Sequence, residues 1–253
     1  SKESSGIEHL VVDAGAGSDQ ITLDHITSNA SGLSDVEIEL GTGSTDIVTV
    51  LGSISGGDAF QVVTDGARTK LTRTTATGYD VWIAGGVRAQ GDALVVDGRG
   101  GNDTITAAGV TADQLALTLI GGDGNDTLVG SPFDDILDSG ADDDTVTGGL
   151  GTDTFLDSGG SDTLVESFAT GDFGLYDNLF VVGLAVGTDF GVGSIAENLL
   201  DLLGNPIFEF ATLTGGAGAT TFLIGDFDRT VTVAGLARAA DPWTGNATIN
   251  PAG

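Results

Sequence analysis

Gly121–Val129 reads GGDGNDTLV, and four more nonapeptides follow it without a gap. They are Gly130–Asp138 (GSPFDDILD), Ser139–Thr147 (SGADDDTVT), Gly148–Leu156 (GGLGTDTFL) and Asp157–Val165 (DSGGSDTLV). Position six is aspartate in all five: Asp126, Asp135, Asp144, Asp153 and Asp162. Position eight is apolar in all five: Leu128, Leu137, Val146, Phe155 and Leu164. A frame held this way over 45 residues marks a repeat architecture, in which each unit is one small turn-and-strand element stacked on its neighbours.

Six residues of turn and three of strand make one unit, and two units make a coil of 18 residues. Residues 18 apart then stand one above another, about 4.8 Å apart if the strands pair. Calcium–oxygen bonds are about 2.4 Å long, so two aspartates on successive coils can share one ion. Asp126, Asp144 and Asp162 fall on one edge of such a stack, and Asp135 and Asp153 on the other. Glycines in the turns (Gly121, Gly122, Gly124, Gly140, Gly149 and Gly151) permit positive φ and let carbonyl oxygens face the ion. Asp142 stands where a positive φ is expected and tolerates it. Phe133 stands at the same place in the second unit, which predicts a distorted site at Asp135–Asp153.

The cassette recurs upstream in looser spacing. Gly98–Thr106 (GRGGNDTIT) is a sixth copy and adds Asp103 as a ligand; Ala14–Thr22 and Gly41–Thr49 are weaker copies, read as turns without an ion. Strand-like runs such as Val36–Leu40, Phe60–Val63 and Leu94–Val96 alternate with turn residues. Residues 1–96 therefore read as an irregular or wide-coil β-solenoid, 97–166 as the regular calcium-binding roll, and 167–253 as a degenerate continuation with an irregular tail. Ser194 and Glu197 form a capping box, with Gly204 and Pro206 beyond, so a short capping helix is predicted over 194–203.

Composition agrees with a thin, ion-dependent stack. The chain has 253 residues, 42 of them glycine, and 37 acidic against 8 basic side chains, a net charge of −29. Thirty of the acids are aspartate, whose short carboxylate suits turns and hard cations. Residues 97–165 hold 14 aspartates and a single arginine, Arg99. That charge excludes nucleic acid as a partner, because phosphate binding needs basic patches. Disulfides are impossible, with no cysteine. No run approaches the roughly 18 apolar residues of a membrane span. Ser1 is not a translation start, so the chain is expected to be a piece of something longer.

Gly121–Val129 fits G-G-x-G-x-D-x-U-x, with U a large apolar residue, and the block resembles the RTX, or haemolysin-type, calcium-binding repeat family. The resemblance implies a parallel β-roll with several Ca2+ ions in its turns, and a repeat region of a large secreted bacterial exoprotein that folds outside the cell. A structural or interaction module of a surface adhesin, surface layer or filament-like protein is the expected function, with calcium, a cell-surface partner or further copies of itself as partners. An accessory segment of an extracellular enzyme, such as a β-helix polysaccharide lyase or hydrolase, is the alternative. No H-E-x-x-H or G-x-S-x-G motif is present, so no enzyme activity is expected. Gly191–Ala196 matches G-x-G-x-x-A, but outside any strand–turn–helix–strand unit it carries no dinucleotide site.

Overall fold

The structure, a computed structural model, describes residues 9–24, 33–43, 45–74 and 79–168. Beyond them it describes eight strands between Phe173 and Asn250. Apart from a three-residue 3-10 turn at Arg88–Gln90, every regular element among the described residues is a strand. In chain order these are β1 (His9–Asp13), β2 (Gln20–Asp24), β3 (Asp35–Glu39), β4 (Ile47–Leu51), β5 (Ala59–Asp65), β6 (Arg68–Arg73), β7 (Asp80–Ala84) and β8 (Ala93–Asp97). β9 (Thr104–Gly109), β10 (Ala116–Asp123), β11 (Thr127–Val129), β12 (Asp135–Ala141), β13 (Thr145–Thr147), β14 (Thr154–Leu156) and β15 (Thr163–Phe168) follow.

The chain alternates between two sheets, one of 12 strands and one of 11. The first takes β1, β3, β7, β6, β5, β9, β11, β13 and β15 in spatial order; the second takes β2, β4, β8, β10, β12 and β14. Both sheets continue into the strands beyond Phe173. Pairing is parallel except at two inserted antiparallel groups, β5–β6–β7 in the first sheet and Phe173–Tyr176, Leu179–Val182 and Ile195–Asn198 in the second.

Within the nonapeptides the register is the one that spacing predicts. Thr127 pairs with Thr145 and Thr145 with Thr163, and on the opposite sheet Ile136 pairs with Thr154, each step being 18 residues. Alternation then sends position eight inward: Leu128, Leu137, Val146, Phe155 and Leu164 are at most 2% exposed. The upstream strands β3, β4, β5, β7 and β8 are longer and turn two apolar side chains inward each, as with Val36 and Ile38 on β3 or Leu94 and Val96 on β8. All these residues belong to one hydrophobic cluster lying between contributions from both sheets.

The helix predicted over 194–203 is not what the structure shows. Ile195–Asn198 is a strand, paired antiparallel with Leu179–Val182, and residues 199–203 lie outside the described part. A capping box contributes only about 1 kcal/mol, which a neighbouring strand offering a full ladder of hydrogen bonds outweighs. Among the described residues no helix is long and apolar enough to cross a membrane.

Candidate metal centre

The turns that lead from the second sheet back to the first stack into one edge of the molecule. Each ends in an inward aspartate: Asp58, Asp103, Asp126, Asp144 and Asp162, all at most 2% exposed. The row is tied by one repeated bond. The backbone N–H of Asp58 donates to Asp103 Oδ1 (2.5 Å), Asp103 N–H to Asp126 Oδ1 (2.7 Å), Asp126 N–H to Asp144 Oδ1 (2.7 Å), and Asp144 N–H to Asp162 Oδ1 (2.8 Å). Every donor lies on the turn before its acceptor's. The predicted row of Asp126, Asp144 and Asp162 is thus found, and Asp103 extends it.

At Asp103, Asp126 and Asp144 one carboxylate oxygen is used in this ladder and the other is stranded. Oδ2 of Asp103, Asp126 and Asp144 is buried without a hydrogen-bond partner. An ionised oxygen in that state is costly unless a cation meets it. Burial pushes the Asp103 carboxyl up to about 7, and the neighbouring charges of Asp126 and Asp58 add to it, against the pull of the Asp58 amide. The same cause raises Asp126 to about 6 and Asp144 to about 7. Hard oxygen donors, short of positive charge and excluded from water, suit calcium.

A third acid joins the last step of this row. Oxygens of Asp144, Asp157 and Asp162 lie within 4.8 Å of one another. Asp157 occupies position one of its unit, where Gly121 stands in the first. Its exchange for glycine was the available signal, and the nine-residue frame passed over it. Asp138, on the strand leading into the preceding turn, is also raised, mainly by burial and then by Asp157 and Asp97.

The turn backbone is shaped to let successive turns approach. Gly122 and Gly124 have φ near 112° and 116°, Gly140 is near 102°, and Gly149 and Gly151 are near 103° and 119°. Asp142 holds φ 78°, as expected of it. Gly121 is needed for a different reason. A Cβ there would lie 2.3 Å from Asp126 Oδ2 and 2.4 Å from the Ser139 carbonyl. Outside the carboxylate row, position-five side chains build a second ladder of the opposite sense. Asn102 Oδ1 accepts the Asn125 N–H, and Asp143 Oδ1 accepts the Ser161 N–H.

The other edge is built differently. Asp135 N–H donates to Asp153 Oδ1 (2.9 Å), so the second predicted pair is brought together. However, Asp135 Oδ2 accepts the Ser131 N–H (2.5 Å) and Oδ1 accepts the Ser131 hydroxyl (3.1 Å). Burial raises Asp135 to about 6, and these Ser131 bonds oppose the rise. Phe133 does not adopt the positive φ that its place in the frame suggested; it packs against the core instead. Glu166 enters from β15; its Oε1 accepts the Gly148 N–H (2.6 Å) and its Oε2 is buried without a partner. Burial raises its carboxyl well above the usual range, and Asp153 adds to the shift. Further up this edge Asp19 N–H donates to Asp46 Oδ1 and Asp46 N–H to Asp92 Oδ1. Asp92 Oδ2 accepts the Val87 N–H, so both of its oxygens are held by backbone.

Parallel strands in two sheets, joined by Gly/Asp turns whose buried carboxylates are linked in rows, are the setting in which a calcium-binding repeat is found. Residues 120–155 match the family model of the RTX calcium-binding nonapeptide repeat, in four copies. The matched segment is an RTX repeat block, and its cofactor is Ca2+. A comparison with curated proteins returned no match.

Proposed function

We propose that the chain is a calcium-folded β-roll, a structural and interaction module of a secreted bacterial surface protein, such as an adhesin, surface layer or filament-like exoprotein. The two alternating sheets are read as the two faces of one solenoid. The observation that carries the proposal is the row of buried carboxylates whose Oδ2 atoms have no partner at Asp103, Asp126 and Asp144. Those residues, with Asp157 and Asp162, would hold the ions on that edge, and Asp153 and Glu166 the last step of the other.

Calcium then serves as a folding switch. Extracellular modules bind with dissociation constants of roughly 10⁻⁴–10⁻³ M, so each site adds about 0.4–1.4 kcal/mol at about 1 mM free calcium. Several sites sum to a few kcal/mol, comparable with the stability of a small domain. Inside a cell, where free calcium is far lower, the block stays open; outside, it orders. The proposed setting is accordingly extracellular, at the cell surface, with a surface ligand or further copies of the chain as partner.

A non-enzymatic role is favoured by how the cations are spent. Arg68, Lys70, Arg73, Arg88 and Arg99 are all ion-paired within the chain, to Glu37, Asp80, Asp58, Asp113 and Asp24. Arg68 and Lys70 also lie over the Trp82 ring. A site for acidic sugars would need such groups turned towards a ligand. Circular dichroism and calorimetric titration test the proposal. Adding calcium to EGTA-treated protein should restore β signal and bind several ions, and an unchanged spectrum with no bound calcium would refute it.

A further inference from the structure

The carboxylate row has an end, and the end is not an orphan. Asp58 donates its N–H to Asp103 like every other member, so it belongs to the row. Its own carboxylate is nonetheless saturated. Oδ2 accepts the Ser53 N–H at 2.7 Å, and Oδ1 accepts Arg73 Nε at 2.6 Å and an Nη of the same guanidinium. Asp58 is 2% exposed and Arg73 is 8% exposed. Arg73 sits on β6, the strand beside β5 in the sheet and the return arm of the β5–β6 hairpin. That hairpin reverses the chain, so no further parallel coil adjoins β5 on that side to supply another carboxylate.

From this we infer that Arg73 is a built-in counterion that takes the place of calcium at the last carboxylate of the row. It is a positioning residue: it fixes where ion binding stops. The proposal rests on the calcium reading above. Its consequence is a division of labour along one continuous core. The strands β4, β5 and β8 hold together without calcium, because Asp58, the buried carboxylate of the turn that joins β4 to β5, carries its own cation. The strands that follow Asp103, Asp126 and Asp144, whose Oδ2 atoms have no partner, require the ion, and β15 stacks on the last of them. The folded upstream strands then offer β5 as a ready edge on which β9, the first calcium-dependent strand, registers.

Hydrogen exchange on the intact chain, in EGTA and in calcium, tests this together with Arg73→Met. In the unmutated chain, amides of β4, β5 and β8 should stay protected in EGTA, while those of β11, β13 and β15 lose protection at least tenfold. In Arg73→Met, protection of β5 and its neighbours should become calcium-dependent, with one additional ion bound per chain in equilibrium dialysis. The pair Asp58→Asn with Arg73→Met removes both charges and should restore protection in EGTA. If it does not, or if Arg73→Met leaves protection and ion count unchanged, the assignment is overturned. No calcium-dependent change at β11–β15 in any variant would instead overturn the calcium reading itself.

Discussion

Replacing Asp144 by asparagine separates the two opposed roles that the carboxylate plays. Its Oδ1 accepts the Asp126 N–H, a bond that an amide oxygen can also accept. Its Oδ2 is buried without a partner, close to oxygens of Asp157 and Asp162, either of which can accept from a new amide N–H. Without calcium, burial holds the Asp144 carboxyl at about 7, whereas an unfolded aspartate titrates near 4. Three units at about 1.36 kcal/mol each set an upper bound of about 4 kcal/mol on what the charge costs the ion-free fold at pH 8. Water penetration reduces this, so Asp144→Asn should raise ion-free stability by about 2 kcal/mol. With calcium the sign reverses. Asp144 faces both the Asp126 and the Asp162 steps, so losing it removes up to two sites at about 0.4–1.4 kcal/mol each in about 1 mM calcium. Urea unfolding at pH 8, in EGTA and in calcium, gives both numbers. A variant destabilised equally in the two conditions would show that Asp144 is a packing residue and refute the reasoning.

Three further outcomes are expected. Asp103, Asp126 and Asp144 are all raised in the fold, so it binds more protons than the unfolded chain between about pH 4 and 7. Their contribution is therefore fully present below about pH 4 and lost as pH rises through 7; thermal scans in EGTA should show the melting temperature falling over that range, and calcium should flatten the fall. Gly121→Ala places a methyl against Asp126 Oδ2 and the Ser139 carbonyl and should cost about 1–3 kcal/mol, read from the urea midpoint in calcium. Asp157→Asn removes one charge from the Asp144–Asp162 step alone, so calorimetry should show one weakened site with the others unchanged.

The nonapeptide frame made the 18-residue register, the two rows and the inward position eight legible, because all three follow from period and chain geometry. Asp58 and Asp92 escaped it for a simple reason: Gly52–Asp58 and Gly85–Asp92 are turns of seven and eight residues, so their aspartates fall out of frame. Arg73 carried no local signal at all. Its partner lies 15 residues away and is reached only because a hairpin folds back. Ser131 and Phe133 announced an altered turn, but only tertiary packing decided that Ser131 would satisfy Asp135 while Phe133 joined the core. Over 194–203, local capping chemistry pointed to helix, and strand pairing at Ile195–Asn198 prevailed.

The two antiparallel insertions have a mechanical consequence. Each adds two strands to one sheet only, lengthening that face by roughly 10 Å relative to the other. The first insertion, β5–β6–β7, widens the 12-stranded sheet, and the second, between Phe173 and Asn198, the 11-stranded one. The two additions compensate, and the strand counts return to near equality. The aspartate ladders of the nonapeptides lie between the two insertions, in the stretch where parallel strands of one sheet alternate one for one with those of the other.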